Sequence, residues 1–296
     1  IAKLCQEMGF PAVALTDTNN LFGVLEFSDK LSRAGIQPIA GVSLTIDFED
    51  TERQRAGGPA PSAEQLARRD GMIALYAMSE RGYANLMKLV SRAHLQSGED
   101  EGPYVTIDQL RAFADDLIVL TGGPDGPIDS ALRAGQKALA EARLKTLSKI
   151  CGDRLYVELQ RHGLEQEAMV EPELLDLAYS LELPIVATNE AYFASPDDYE
   201  AHDVLLCIAE GRYVVEDDRR RVTPDHYFKS AGEMAELFRD LPEALENTIE
   251  IAKRCPFRPL GRKPILPRFV SAGEGASEAD QLAVEAAELK RQAEEG

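Results

Sequence analysis

The stretch Gly9–Gly23 has the sequence GFPAVALTDTNNLFG and sets out the order of elements that decides the fold. Its apolar run, Ala12–Thr16, is short and lies beside turn residues, which is typical of a buried β-strand. Two asparagines, which are favourable N-caps, precede a helical pattern over Leu21–Ala34. That pattern ends at Gly35, a favourable C-cap. The stretch therefore predicts a strand, a polar connection and a helix.

The same alternation continues along the chain. Further short apolar runs predict strands at Pro38–Gly41, Met72–Met78, Leu117–Thr121, Leu155–Leu159 and Pro184–Thr188. Helical patterns occupy Glu80–His94, Ala131–Cys151, Glu165–Glu182, Asp197–Glu210 and Pro242–Lys253. Alternating strands and helices with short connections predict an α/β fold with a parallel sheet, either open or closed into a barrel.

Several segments interrupt this alternation. Glu49–Asp70 and Gln96–Pro103 are polar and contain turn residues, so we expect exposed loops. Cys255–Phe269 contains four prolines and predicts an irregular linker. Ser277–Glu295 predicts a charged helix that leads into a further domain. Because the chain starts at Ile1 and stops within a helical pattern, we expect it to be part of a longer protein.

Composition limits the possible functions. The 296 residues carry a net charge of −19, which repels polyanionic DNA, and 44% of them are hydrophobic, as in soluble globular proteins. No apolar run approaches the roughly 20 residues that a membrane helix needs. The four cysteines form no CxxC pair, so we expect free buried thiols in a reducing cytoplasm. The run Asp217–Arg221, DDRRR, predicts a solvated face.

Polar residues follow the predicted strands, where functional groups of parallel α/β folds gather. They include Asp17, Ser43, Gly123, His162 and Glu190. No GxSxG elbow, P-loop or Rossmann fingerprint accompanies them. The chain has only four histidines, each better explained as a structural side chain than as a metal ligand. The residues alone therefore predict a polar cleft without a complete catalytic constellation.

Taken together, the motifs resemble the PHP domain of bacterial replicative DNA polymerases, the polymerase III alpha subunits. The matching segments are Gly9–Gly23, Gly35–Ser43 (GIQPIAGVS), Tyr83–Ala93 (YANLMKLVSRA), Leu117–Gly126 (LIVLTGGPDG), Tyr156–Gly163 (YVELQRHG), Leu183–Glu210, Tyr227–Pro256 and Lys263–Phe269 (KPILPRF). The last two resemble the junction between the PHP and palm domains.

The resemblance implies a distorted (β/α)7 barrel with a helical C-terminal extension. It implies a PHP domain over residues 1–215, with its first strand and an HxH motif before Ile1. Residues 216–270 would form the C-terminal part of that domain and a linker, and 271–296 the start of the palm region. Metal-bearing members of the family hold several ions and cut DNA from its 3′ end.

The same resemblance identifies the readable positions of the family's metal site. They are Asp17, Thr18, Ser43, Arg92, Gly123, Glu190 and Tyr192. Asp17 keeps the family residue and Glu190 is a conservative change, whereas the other five are not ligands of the family type. Thr, Ser and Gly offer no strong donor to a transition metal, and the permanent charge of Arg92 repels a cation. We therefore expect a vestigial cleft with no bound metal or cofactor and no catalytic residue, while Mg²⁺ would serve the polymerase domain of the parent protein.

Three functions stay open at this point. The first is a structural domain of a DNA polymerase, in the cytoplasm, that docks the proofreading epsilon exonuclease subunit and other holoenzyme subunits and meets DNA through the parent protein. The second is an active metal-dependent phosphoesterase or 3′–5′ exonuclease with Asp17, Glu190, His162 and His202 as alternative ligands. The third is an unrelated α/β protein that binds a small molecule.

Overall fold

The computed structural model describes residues 1–50, 70–98, 102–262, 269–270, 273 and 276–295. Two units, Ile1–Leu260 and Gly261–Gly296, divide the chain. Most of the predicted loop Glu49–Asp70 and of the motif Lys263–Phe269 lies outside the described residues, as do residues 99–101 of the predicted loop Gln96–Pro103. The domain boundaries expected at residues 215 and 270 stay predictions.

A curled sheet of seven strands forms the centre of the first unit, as far as the described residues show. The strands are β1 Ala12–Leu15, β2 Gln37–Asp47, β3 Gly71–Ala77, β4 Val105–Thr106, β5 Leu117–Leu120, β6 Leu155–Leu159 and β7 Ile185–Ala187. They lie in the order β1-β2-β3-β5-β6-β7, and β4 pairs with β2. All six predicted strands are present, and the curled sheet with its helices is consistent with the expected PHP-type barrel.

The expectation of a fully parallel sheet is wrong at one strand. β3 runs antiparallel to both of its neighbours. Its Tyr76 lies opposite Gly41 of β2, and its Ala74 lies opposite Leu120 of β5. An antiparallel pair needs no crossover helix between its strands. The remaining pairs are parallel. The carboxyl ends of β1, β2, β5, β6 and β7 therefore point the same way.

The seven predicted helical patterns are present, one of them divided in two, and three short helices of the described residues were not predicted. They are α1 Ala2–Glu7, α2 Val24–Arg33, α3 Glu80–Gln96, α4 Ile107–Phe113, α5 Pro127–Arg133, α6 Lys137–Cys151, α7 Glu165–Ser180, α8 Tyr199–Glu210, α9 Ala231–Leu237, α10 Pro242–Arg254 and α11 Glu278–Glu295. The single helix predicted over Ala131–Cys151 is two, because Gly135 adopts a φ of +70° and separates α5 from α6. Within the described part of the chain, no helix is long and apolar enough to cross a membrane.

The core lies on both faces of the sheet. Leu117 and Val119 of β5 join a large cluster that includes side chains of α3, α5, α6 and α7. Ile118 and Leu120 point to the opposite face, where they meet Ile251 of α10. Every residue of β5 is buried, which confirms the interpretation of its apolar run as a fully buried strand. All four cysteines are free and buried, as expected.

The run Asp217–Arg221 is exposed at four of its five residues, as predicted for a solvated face, and Arg219 is the exception. Arg219 has a side chain only 3% exposed, and its guanidinium pairs with the carboxylate of Asp203 at 2.6 Å. Two nitrogens of Arg219 each donate to one oxygen of Asp203, a bidentate arrangement that fixes both side chains. The charged run Asp217–Arg221 thus contains one fixed arginine, which ties this segment to α8.

Candidate functional site

The loop after β1 lies against β2 and brings three of the predicted site residues together. Thr18 forms an isolated parallel bridge with Ser43. The backbone N–H of Ser43 donates to the carbonyl oxygen of Asp17 at 3.2 Å. Asp17 and Thr18 follow the end of β1, whereas Ser43 lies within β2 and not after it, because β2 continues past its predicted end at Gly41 to Asp47.

Asn19 holds this loop in place. The prediction that the asparagines cap α2 is wrong, because α2 begins at Val24 with Gly23 as its N-cap. The φ of Asn19, +55°, is left-handed, a conformation that asparagine tolerates better than most residues. Its side chain donates to Thr45 Oγ1 at 3.1 Å and accepts from the Thr45 N–H at 3.0 Å. Its carbonyl oxygen lies 2.8 Å from His94 Nε2, which must carry the proton because a carbonyl only accepts.

Arg92 is held on a different part of helix α3. Its guanidinium lies 4.4 Å from the ring centroid of Phe113, at the end of α4, in a cation–π contact. His94, two residues further along, is the α3 side chain that reaches the loop after β1. The identification of Arg92 as a substituted ligand position stays a prediction. The observed link between α3 and the loop after β1 is the contact of His94 with Asn19.

The turn after β5 depends on two glycines. Gly122 has a φ of +92°, and a Cβ there would come within 1.7 Å of the Met72 carbonyl oxygen. At Gly123, a Cβ would meet the Gln160 side chain at 2.8 Å. Gly123, the expected position of a family thiol, is therefore a buried site without space for any side chain unless Gln160 moves.

A buried carboxyl, Glu158, lies between the ends of β5, β6 and β7. Its oxygens accept from the Thr188 hydroxyl at 2.6 Å, from the Gly122 N–H at 3.0 Å and from Gln160 Nε2 at 3.2 Å. Burial raises its pKa even though these three donors act in the opposite direction. The sequence analysis predicted the strand but not these three donors, which only the fold reveals.

His162, directly after β6, has a partner on each ring nitrogen. Nδ1 lies 2.9 Å from Glu167 Oε1, and Nε2 lies 3.2 Å from both the backbone nitrogen of Glu190 and Asn189 Oδ1. Because a carboxylate only accepts, the proton of the neutral ring is on Nδ1, and Nε2 accepts from the Glu190 N–H. The lone pair that would bind a metal is thus already used. His162 fits the structural role expected from the sequence.

A second imidazole, His226, stacks on His162. The ring centroids are 4.1 Å apart and the planes differ by 15°. His226 is 4% exposed, and burial together with the neighbouring His162 lowers its pKa to about 4. Its Nδ1 accepts from the Thr223 N–H at 3.2 Å. The sequence placed this histidine in a loop without a role, because the contact spans 64 positions.

Tyr192 and Glu190 complete this end of the cleft. The Tyr192 hydroxyl donates to Glu190 Oε1 at 2.6 Å, and burial followed by the charge of Glu190 raises the tyrosine pKa. The Tyr192 ring lies 5.6 Å from that of His226 and 5.5 Å from that of His202. The side chain of Tyr192 therefore occupies the space between His202 and His226, and its hydroxyl occupies one oxygen of the Glu190 carboxylate.

The donors do not form a metal centre. Among the described residues, no group of three or more His, Cys, Asp and Glu side chains has the arrangement to hold a metal ion. Of the four alternative ligands, Glu190, His162 and His202 lie at the β6–β7 end. Asp17 follows β1, at the other end of the strand order. With His162 engaged on both nitrogens, the residues present do not fit a multi-metal phosphoesterase site.

The fold and the polar strand-end cleft define an α/β barrel-type domain, and comparison with known proteins identifies its class. The profile of the PHP domain family matches residues 1–162, which is more than half of the chain. The chain belongs to the PHP domain family.

Comparison with individual proteins gives the particular relatives. The chain is 47% identical to the DNA polymerase III subunit alpha of Caulobacter vibrioides over 97% of its length. The same subunit is 38% identical in Rickettsia bellii, again over 97%, and 37% identical in Pseudomonas aeruginosa over 91%. The matches cover 24%, 23% and 22% of those three proteins. The chain thus spans about a quarter of the length of these relatives, and the expected resemblance is confirmed.

Proposed function

We propose that the chain is the PHP part of a DNA polymerase III alpha subunit that acts in DNA replication in the cytoplasm. The observation that carries this proposal is the 47% identity over 97% of the chain. The parent protein is then a DNA-directed DNA polymerase, a nucleotidyltransferase whose chemistry needs Mg²⁺ held by acidic residues of a palm. Such residues belong to the polymerase domain of the parent, which would also contact DNA.

In this proposal the PHP cleft is vestigial. Support comes from the replaced ligand positions Thr18, Ser43 and Tyr192, and from the engagement of both His162 nitrogens. Gly123 adds to this, because a side chain there would collide with Gln160. The fold keeps the cleft ordered through hydrogen bonds that need no metal.

A docking role for subunits of the replicase, first of all the proofreading epsilon exonuclease, completes the proposal. It is supported by the outer face of α8. Leu205 is 62% exposed and Ile208 is 71% exposed, and Val215 just beyond the helix is 90% exposed. Leu205 and Ile208 are three residues apart and so share one face of α8, and exposed apolar surface is typical of protein interaction sites. Because the chain has a net charge of −19, a basic partner is favoured.

Calorimetric titration of the chain with the exonuclease subunit tests this role. We expect saturable binding that an Ile208→Asp variant weakens at least about tenfold, the loss expected for one buried apolar anchor. Ile249→Asp is the matched control, since Ile249 is 58% exposed on α10. A chain that does not bind the subunit, or that binds equally well with Asp at position 208, contradicts the docking role or this surface, respectively.

The alternative function, a metal-dependent phosphoesterase or 3′–5′ exonuclease, retains one supporting observation. Three of its four candidate ligands, Glu190, His162 and His202, lie together around Tyr192. Incubating the chain and a His162→Asn variant with a 3′-labelled primer and Mn²⁺, Mg²⁺ or Zn²⁺ distinguishes the two functions. Trimming that disappears in the variant would support the alternative.

A further inference from the structure

A small cavity lies between α5, the end of β6 and α7, under the turn after β5. Its volume is about 10 Å³, close to the space that one water molecule needs. Asp129, Glu158, Gln160 and Glu167 line it together with apolar side chains and with Glu171, whose carboxylate pairs with Arg161. Besides Glu171, three carboxyl groups thus share a space that holds a single small molecule.

Two of the three carboxyls have full sets of donors. Glu167 accepts from the backbone N–H groups of His162 at 2.6 Å and Leu164 at 3.1 Å, besides the His162 ring. Glu158 accepts from Thr188, Gly122 and Gln160. Donors of this kind favour the ionised carboxylate.

Asp129 differs from both. It is 3% exposed, and its Oδ1 has no hydrogen-bond partner among the described residues. A buried oxygen without a donor costs roughly 1–3 kcal/mol, and more if it is charged. The nearest relevant cation is Arg133, whose guanidinium already donates to the Pro124 carbonyl. Burial, and then the charges of Glu158 and Glu167, raise the pKa of Asp129 well above its usual range.

We propose that this cavity binds one water molecule and one proton, with Asp129 as a neutral carboxylic acid that donates its proton in a hydrogen bond to the water. The water in turn donates to the carboxylates of Glu158 and Glu167. No covalent bond changes, and the proton stays on Asp129. The orphaned oxygen, the cavity of one-water size and the two carboxylate acceptors all fit this arrangement.

The arrangement makes one corner of the domain sensitive to alkaline pH. The groups facing Asp129 are Arg133 on its own helix, Glu158 on β6, and Glu167 and Glu171 on α7. When Asp129 loses its proton, a further negative charge joins the acids around the cavity. A folded-state pKa above the unfolded value gives stability that is complete below the unfolded pKa and is lost as pH rises towards the folded pKa.

The test is urea unfolding of the chain and of Asp129→Asn between pH 4 and pH 9, since Asn imitates the neutral acid. We expect the folding equilibrium constant of the variant to gain on that of the unsubstituted chain by about tenfold per pH unit above roughly pH 4, and then to level off. Glu173→Gln is the matched control, an exposed carboxyl on α7 that should show no such gain.

Infrared spectroscopy of the unsubstituted chain at pH 7 provides a second measurement that does not depend on folding of the variant. We expect a carbonyl band of a protonated carboxyl that shifts in D₂O and is absent in Asp129→Asn. The proposal is overturned if no such band exists, or if the variant is equally destabilised at all pH values. It is also overturned if Na⁺, K⁺ or Mg²⁺, each against choline at equal ionic strength, stabilises the chain only when Asp129 is present, since the cavity would then hold a cation.

Discussion

At the scale of single residues, the stacked rings of His162 and His226 show how the cleft is kept ordered. Glu167 fixes the proton of His162 on Nδ1, and the Glu190 N–H occupies Nε2. Thr223 links the two rings, because its hydroxyl donates to the His162 carbonyl at 2.6 Å and its N–H donates to His226 Nδ1. Hydrogen bonds and stacking thus position these side chains.

The buried His226 should make the chain sensitive to acid. Its pKa falls from 6.5 in the unfolded chain to about 4 in the folded one, so its contribution is present above about 6.5 and is lost as pH falls towards 4. The difference corresponds to about 3 kcal/mol. Unfolding by urea at pH 7 and pH 4.5 should show a smaller loss for His226→Gln than for the unsubstituted chain. His94→Gln is the control, and equal losses in all three would contradict this assignment.

The sequence could predict only part of the site. The apolar run Ala12–Thr16 indicated that Asp17 and Thr18 follow a strand. Ser43 lies beside them from within β2, which continues past its predicted end at Gly41. The partners of Glu158 and the stacking of His226 on His162 come from segments far apart in the chain. No local pattern of charge or hydrophobicity records such contacts, so they appear only when the chain is folded.

At the scale of elements, the turn between β5 and α5 is the part of the cleft most sensitive to substitution. Gly122→Ala should destabilise the chain by at least about 3 kcal/mol, because its Cβ would collide with the Met72 carbonyl and its φ is left-handed. Gly135 has a similar φ of +70°, but a Cβ there would meet no atom within 4 Å. Gly135→Ala should therefore lower the unfolding free energy by only about 1 kcal/mol. Denaturant unfolding measures both, and equal effects would contradict the collision.

Helix α6 is attached to the sheet by a buried ion pair. Arg143, 4% exposed, contacts Asp70 and Asp50, each at 2.8 Å, and its guanidinium lies 5.0 Å from the Phe48 ring. Asp70 also accepts from the Phe48 N–H at 2.7 Å. The cluster therefore ties α6 to the segments that flank β2 and β3.

Replacing Arg143 with Met should cost about 3 to 5 kcal/mol in unfolding free energy, because Asp70 would keep its buried charge without its main partner. Lys145→Met provides the comparison on the same helix. Its ion pair with Glu141 is 52% and 41% exposed, so the loss should be under about 1 kcal/mol. A small effect at position 143 would show that the cluster adds little to the attachment of α6.

Periodicity predicted most elements. The reversed direction of β3 and the division of the helix over Ala131–Cys151 differ from the prediction for physical reasons. The direction of β3 depends on its pairing with β2 and β5, which an apolar run does not specify. The break between α5 and α6 depends on a left-handed Gly135, which could also have been tolerated inside a helix. The short helix α4 was not predicted, although the capping box of Thr106 and Gln109 marks its start in the sequence.

At the scale of the whole molecule, the acidic chain is a poor DNA-binding surface by itself and carries an exposed apolar face on α8. Its relatives named DNA polymerase III subunit alpha are about four times as long. These features are consistent with the proposed role, a domain that supports and connects other parts of a replicase. That proposed role depends on the loss of the metal site.

Metal analysis of the chain, after incubation with Zn²⁺, Mn²⁺ and Mg²⁺ and extensive dialysis, tests that claim most directly when the same sample is assayed for removal of 3′ nucleotides. The proposal predicts no stoichiometric metal and no metal-dependent trimming, for the chain and for its His162→Asn and Glu190→Gln variants alike. Stoichiometric metal and trimming in the chain, both lost in the two variants, would contradict it and establish an active phosphoesterase site around Tyr192.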